Sequence, residues 1–158
     1  MGLKTFKPYT KSVRGTVLVE KKSLWKGSSY KPLTVGQHST GARNNLGRIT
    51  SRHRGGGHKH KYRIIDFNRS KRNISGVVER IEYDPNRTAY IALIKYEDNE
   101  KRYIICPQGL KIGDKIEAGK KVEIKIGNCL ELKDIPPGSS IHNIELVPQT
   151  GGKMARSA

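Results

Sequence analysis

The feature that most limits how this chain can fold is a run of basic residues and glycines at positions 47–67, GRITSRHRGGGHKHKYRIIDF. It carries six Lys or Arg and three His side chains, and its first acid is Asp66. Three consecutive glycines occupy positions 55–57. A segment this polar buries too little apolar surface to offset the entropy of ordering it, so we expect residues 47–61 to be mobile in the free chain.

The same run suits a polyanionic partner. Each Lys or Arg that meets a phosphate releases a condensed counterion, and glycines, which lack a Cβ atom, let backbone N–H groups approach a phosphate. A solvated charged loop or a nuclear-targeting run has a similar composition. The length of the run, its lack of acids and its embedded glycines favour nucleic-acid binding.

Charge is distributed unevenly along the chain of 158 residues. Residues 1–72 have a net charge of +16, residues 73–147 a net charge of −1, and residues 148–158 a net charge of +2. The sequence therefore predicts a basic extension joined to a conventionally folded module. Within the extension, Trp25 and Tyr30 have two interpretations: they stack on bases, or they pin the extension to the module.

From residue 73 onward the pattern is β. Runs rich in β-branched residues are interrupted by turn signals about every 8–12 residues, with no convincing helix, which is typical of a small antiparallel barrel or sandwich. The expected turns include residues 84–87 and 98–100. The expected strands lie at residues 74–83, 88–97, 101–106, 110–118, 122–126, 130–135 and 141–147.

Little in the sequence supports catalysis or metal binding. His53, His58 and His60 match no zinc finger or ribbon spacing with the two cysteines. They would suit a ribonuclease only if a rigid shell held them, and a glycine-broken loop offers none. We interpret the acids of the module as a solvated strand face and turns. These acids are Glu79, Glu82, Asp84, Glu97, Asp98 and Glu100.

Cys106 and Cys129 are the only cysteines in the sequence. Two cysteines do not make a disulfide framework, so we expect small buried thiols in a reducing compartment. The sequence has no apolar segment near the ~20 residues that a membrane span requires, and we expect no membrane partner.

Ordered motifs run along nearly the whole chain. They are TGARNNLGRIT at 40–50, RHRGGGHK at 52–59, YR at 62–63, IDF at 65–67, VERIEYDPNR at 78–87, IP at 135–136, HNIEL at 142–146, GG at 151–152 and ARSA at 155–158. In these motifs the chain resembles the N-terminal half of the ribosomal protein L-two family of the large subunit, in its bacterial or organellar form.

This resemblance implies a five-stranded OB-type barrel at residues 73–147, preceded by a long, largely irregular basic extension at residues 1–72. It also implies a structural constituent of the large ribosomal subunit that binds and stabilises folded rRNA in translation. Enzymatic activity and cofactors are not expected, and Mg²⁺ would enter only as part of the rRNA. The expected partners are the rRNA and neighbouring ribosomal proteins, in a bacterial cytoplasm or a mitochondrial matrix.

By motif position, the resemblance implies rRNA contacts for a set of residues in and beside the basic run. They are Arg43, Asn44, Arg48, Arg52, His53, Arg54, Gly55, Gly56, Gly57, His58, Lys59 and Arg63. Four further residues are added on charge alone: Lys61, Arg69, Lys71 and Arg72.

The family normally continues beyond the ARSA motif into an SH3-like barrel. The resemblance therefore implies that residues 148–158 are a linker toward a missing C-terminal domain. The chain would then be a fragment or one piece of a protein encoded in two parts, with a separately encoded C-terminal half as a further partner.

Two other functions remain open at this point. One is a free-standing OB-type single-strand RNA binder or RNA chaperone, which would depend on stacking by Tyr83, Tyr90, Tyr96 and Tyr103. The other is an RNA-cleaving enzyme, which would lose turnover on replacement of His53 or His58 and has no support in the composition.

Overall fold

The computed structural model describes residues 2–157. Met1, which begins the predicted extension, and Ala158, which ends the predicted linker, lie outside the described residues. The described chain is mostly β, with one short helix, α1 (Lys11–Arg14), and 3-10 turns at Lys31–Leu33 and Leu132–Asp134. Its strands are β1 (Leu3–Thr5), β2 (Val17–Val19), β3 (Thr34–Gly36), β4 (Lys61–Arg63), β5 (Gly76–Glu82), β6 (Ile91–Tyr96), β7 (Lys101–Ile105) and β8 (Lys115–Ile116).

The main sheet is antiparallel, with the strand order β7-β6-β5-β8. The register of β5 against β6 shifts between Val78 and Arg80, so Glu79 forms a bulge. A bulge increases the local twist of a strand, and this sheet is curled into a half-barrel. The expected OB-type fold is therefore consistent with the structure. The expected fifth strand is absent from this sheet within residues 2–157.

Strand β6 shows why the sheet forms. Its residues Ile91, Ala92, Leu93 and Ile94 are all fully buried, so both faces of the strand are covered. A strand buried on both faces reads as a continuous apolar run instead of an alternating one. Alternate residues along a strand point to opposite faces, and two apolar clusters result, one on each side of β6.

The first cluster, which we call the first core, lies on one face of the sheet. It contains Val78, Ala92, Ile94, Tyr96, Ile104, Leu110 and Ile116. The second core lies on the opposite face. It contains Ile65, Ala89, Ile91, Leu93, Tyr103 and Ile105, with Tyr30, Leu33 and Phe67 packed against it. The predicted extension thus supplies part of the apolar cover of the sheet.

The extension is also fastened by hydrogen bonds to the sheet. The Tyr30 backbone N–H donates to the Tyr103 hydroxyl over 2.8 Å, and that hydroxyl donates to the Glu82 carboxylate over 2.9 Å. The Trp25 backbone N–H donates to the Ile81 carbonyl over 2.8 Å, and the centroid of the Trp25 ring lies 4.7 Å from the guanidinium of Arg80. The structure therefore supports the second interpretation of Trp25 and Tyr30, in which they attach the extension to the module.

The turns expected at 84–87 and 98–100 are confirmed. The Arg87 N–H donates to the Asp84 carbonyl over 3.4 Å, and the Asn99 N–H donates to the Tyr96 carbonyl over 2.9 Å. Asn99 has a φ of +62°, a conformation that Asn tolerates better than most residues.

Three expected strands are wrong. Residues 122–126 form no strand, and Ile124 and Ile126 are exposed. Residues 130–135 contain the 3-10 turn Leu132–Asp134 instead. Residues 141–147 contribute a single bridge, Ile144 to Met154. An alternating pattern makes a segment able to pair, but a strand also needs a neighbouring edge, and β8 offers only two residues.

Among the described helices, none is long and apolar enough to cross a membrane.

We expect the free energy of unfolding to fall as the pH drops below about 6.5 because of His142. Burial lowers the pKa of His142 from its ordinary value of 6.5 and the charge of Arg69 lowers it further, against a hydrogen bond to the Ile105 backbone. Since the unfolded chain then binds the proton more readily, the contribution is full above the unfolded pKa and is lost as the pH falls toward the folded pKa. Denaturant titrations from about pH 7.5 to pH 5.5 measure it.

The control for this pH dependence is the exposed His38. The variant H142Q should lose part of the pH dependence, whereas H38Q should keep all of it. Identical pH profiles for the wild type and H142Q would contradict this prediction.

Candidate nucleic-acid interface

Residues 40–50 form a small hairpin that presents two of the expected RNA-contacting arginines. Arg43 and Ile49 form an antiparallel bridge. The Asn44 side-chain oxygen accepts hydrogen bonds from the backbone N–H groups of Leu46 and Arg48, each over 3.0 Å. The amide oxygen of Asn44 therefore shapes the hairpin, while the side chains of Arg43 and Arg48 remain exposed.

Residues 52–60 are all exposed. Within the described chain, Arg52, Arg54 and Lys59 make no ion pair and no side-chain hydrogen bond. The rings of His58 and His60 meet edge to face with their centroids 5.4 Å apart. The structure thus brings together the central expected residues as one exposed cationic loop, and they are free to meet phosphates.

Strand β4 begins directly after this loop. It pairs with β3, with Lys61 opposite Gly36 and Arg63 opposite Thr34. The Lys61 side chain is exposed, but Arg63 turns inward, with its Nη1 atom 3.7 Å from a carboxylate oxygen of Asp84. The Arg63 guanidinium therefore faces a carboxylate of the fold instead of solvent.

Charge alone predicts rRNA contacts for three residues in the segment 69–72. The side chains of two of them are bound to other residues of the fold. Arg69 is only 7% exposed and donates from Nη1 to the Gly127 carbonyl over 3.1 Å. Lys71 bonds to Asp98 and lies 2.5 Å from a Glu100 oxygen. Burial acts against the charge of Lys71, but these two hydrogen bonds raise its pKa.

Arg72 differs from its two neighbours because it is exposed. The RNA contacts expected of Arg69 and Lys71 stay predictions, and their side chains visibly serve the fold.

The interpretation of the acids as a solvated face is wrong for two of them. Asp84 is 0% exposed and Glu82 is 3% exposed. Glu82 accepts hydrogen bonds from Tyr103 and, over 2.7 Å, from Arg80. Asp84 accepts from the Arg87 side chain over 2.6 Å and from the Asn86 N–H over 3.0 Å. Buried carboxylates need such partners. Arg80, Asn86 and Arg87 lie within three residues of the acids that they bind, whereas Tyr103 reaches Glu82 from another strand.

A second cationic cluster, which the sequence reasoning missed, lies beside β4. The guanidinium of Arg156 lies 4.5 Å from the Phe67 ring, and that of Arg87 lies 5.8 Å from the rings of Phe67 and Tyr62. With Lys153, these residues line an open cleft of about 520 Å³. Cations beside aromatic faces are a usual platform for bases and phosphates. The +2 charge of residues 148–158 was the available signal.

Two family models match the chain. The model "Ribosomal Proteins L2, RNA binding N-terminal domain" matches residues 30–118, which is more than half of the chain. The chain belongs to this family. The model "Ribosomal Proteins L2, C-terminal domain" matches residues 125–158. The resemblance drawn from the motifs is confirmed.

Bacterial relatives agree with this family membership. The chain is 60% identical over 158 residues to the large ribosomal subunit protein uL2 of Granulibacter bethesdensis. It is 61% identical over 158 residues to that of Rickettsia canadensis and 57% identical over 159 residues to that of Pelagibacter ubique. Each match covers 100% of this chain and 57% or 58% of the relative, so the chain spans little more than half the length of these proteins.

The first family model covers the main sheet and the contact of Tyr30 with it. It begins at Tyr30, which binds Tyr103, and ends at Ala118, just after β8. It contains the hairpin, the exposed cationic loop and the main sheet. In this family, the exposed loop and its scaffold thus belong to the same RNA-binding domain.

The structure offers few groups for other chemistry. Within residues 2–157, no three His, Cys, Asp or Glu side chains lie close enough to hold a metal ion. Cys106 and Cys129 are free thiols, and burial raises the pKa of Cys106 to about 11 and raises that of Cys129. Protonated thiols are poor nucleophiles and poor metal ligands.

Proposed function

We propose that this chain is a structural constituent of the large ribosomal subunit that binds and stabilises folded large-subunit rRNA. One observation carries the proposal: in a domain of an RNA-binding family, a loop of exposed cations has no acidic partner of its own. In the hairpin and the exposed cationic loop together, the cations without an ion pair in the described chain are Arg43, Arg48, Arg52, Arg54 and Lys59. Phosphates are the natural counter-charge for such a set.

The composition of the loop suits folded RNA. Double-stranded RNA presents shape, phosphates and 2′-hydroxyl groups instead of a readable major groove, and no recognition helix for DNA is found in residues 2–157. An arginine guanidinium binds a phosphate through two hydrogen bonds at once and also stacks on bases, whereas lysine contributes a compact positive charge. The loop would neutralise charge where rRNA helices approach, and the main sheet would fix where the loop begins.

The proposal extends to the chain's surroundings. The partners would be large-subunit rRNA and neighbouring ribosomal proteins, in a bacterial cytoplasm or mitochondrial matrix and without a membrane. The chain would be divided into an extension at 1–72, a barrel at 73–147 and a linker at 148–158. It would have no catalytic activity and no cofactor.

The single-strand RNA binder is less well supported, because two of its four stacking tyrosines are buried. Tyr96 and Tyr103 are 3% and 0% exposed and belong to the two cores. Tyr83 is 43% exposed, with the ammonium of Lys21 3.3 Å from its ring centroid. Two buried rings cannot stack on bases unless the core opens.

Sedimentation of a cell or organelle extract through a gradient at high salt tests the proposal. Salt weakens loose polyelectrolyte binding but not a loop buried during assembly. We expect this chain to remain with the large subunit. Recovery of the chain at the top of the gradient would refute the structural role.

A further inference from the structure

The hairpin at residues 40–50, which leads into the exposed cationic loop, is closed by its own hydrogen bonds. Besides the two bonds to the Asn44 side chain, the Asn44 N–H donates to the Arg48 carbonyl over 3.0 Å, and the Thr50 N–H donates to the Ala42 carbonyl over 2.9 Å. The Thr50 hydroxyl also donates to that carbonyl over 3.2 Å. With the bond from the Gly47 N–H to the Asn44 carbonyl over 3.0 Å, six hydrogen bonds within residues 42–50 hold the arginines at 43 and 48 in a fixed hairpin before any RNA is present.

The return path of the chain closes the loop. Residues 52–53 turn, with a φ of +58° at His53, and bring Gly55 across Gly41. A Cβ atom added at Gly55 would lie 2.8 Å from the Gly41 Cα atom, closer than real Cβ contacts allow. The two backbones therefore cross at a distance that only glycine at position 55 permits.

The closure has to work against the charge of the loop. Residues 41–55 contain Arg43, Arg48, Arg52 and Arg54 and no acid. Like charges on a short loop repel one another and favour an open chain. A closed loop in the free protein therefore presents four cations at fixed spacing, and RNA binding then costs less ordering entropy than it would for a mobile strand.

We propose that residues 41–55 are a preorganised RNA-binding loop, and that Gly55 is the positioning residue whose crossing over Gly41 keeps the loop closed. This replaces the mobile segment expected from composition, and it rests on the proposed function. Gly55 need not touch RNA, since its contribution is to hold the four arginines in place.

Gly47 provides a matched control, because it lies in the same loop but outside the set of expected rRNA contacts. The φ values of Gly55 and Gly47 are +96° and +76°, so alanine meets a positive φ at either position. A Cβ atom at Gly47, however, has no neighbour within 4 Å. The difference between G55A and G47A thus separates the crossing from the cost of a positive φ.

Binding of the full chain to a transcript of Rickettsia large-subunit rRNA, across a series of salt concentrations, tests the positioning role. G55A should raise the Kd about tenfold relative to G47A. The slope of log Kd against log salt should stay unchanged in both variants, because neither loses a cation. Equal Kd values for the two variants, or a changed slope in G55A, would overturn the inference.

A second measurement does not depend on the variants or on RNA. Heteronuclear ¹⁵N relaxation of the free wild-type chain should give residues 41–55 order close to that of β5 to β7; the values of a flexible chain would overturn the preorganised loop. Failure of the proposed function has a different signature: the wild type would bind the rRNA transcript no better than an unrelated folded RNA. Selective binding by the wild type with equal G55A and G47A affinities would refute only the role of Gly55.

Discussion

Replacing Arg52, Arg54 and Lys59 together with alanine is expected to weaken binding to large-subunit rRNA about a hundredfold at ~0.15 M salt. The log–log salt slope should fall by about three, close to one per lost phosphate contact. The reason is that all three side chains are exposed and none has an ion pair within the described chain. Filter binding or fluorescence anisotropy at several salt concentrations measures both quantities.

The matched control removes the same charge from the module. Lys111, Lys115 and Lys121 are also exposed, and their triple alanine variant loses three positive charges far along the chain from the loop. It should retain most of the affinity and most of the slope. A slope that stays unchanged in the loop variant, or that falls equally in both variants, would count against the exposed cationic loop as the rRNA-binding element.

The second large effect concerns stability. The variant D84A is expected to lower the free energy of unfolding by about 3–5 kcal/mol, because removing one partner of a buried ionic network leaves the others unpaired. The Asp84 carboxylate is 0% exposed, lies 3.7 Å from Arg63 Nη1, and accepts from Arg87 Nε over 2.6 Å and from the Asn86 side chain over 2.8 Å. Urea titration followed by circular dichroism provides the measurement.

Asp134 supplies the comparison for this variant. It is exposed, and its carboxylate has no ion pair among residues 2–157. D134A should change the free energy of unfolding by less than about 0.5 kcal/mol, as is usual for surface substitutions. Similar losses in D84A and D134A would show that the buried network does not stabilise the fold.

The Asp84 network also shows where sequence reasoning stopped. The motif at 84–87 predicted a turn correctly, because turn chemistry is local to four residues. Asn86 and Arg87, which bind the Asp84 carboxylate, lie in the same four residues, but Arg63, 3.7 Å away, lies on β4. A pattern read along the chain does not show which segments cover a turn, so it indicates a solvated carboxylate where the structure has a buried one.

Charged residues 69–72 make the same point from the cationic side. Their charge alone suggested RNA contacts. The structure directs Arg69 to a carbonyl 58 residues away and Lys71 to Asp98, 27 residues away. Conversely, Arg87 and Arg156 meet at the Phe67 ring, although nothing in their local sequence marks them as neighbours.

By itself, the sequence determined the charge division, the strands β5, β6 and β7, the turns between them and the basic run at 47–67. Each of these depends on composition or on periodicity over a few residues. Only the tertiary structure decided which charges face solvent, which expected strands found an edge to pair with, and how Gly55 crosses Gly41. Burial, pairing and crossing are contacts between distant segments, and their free energy depends on where the whole chain places its partners.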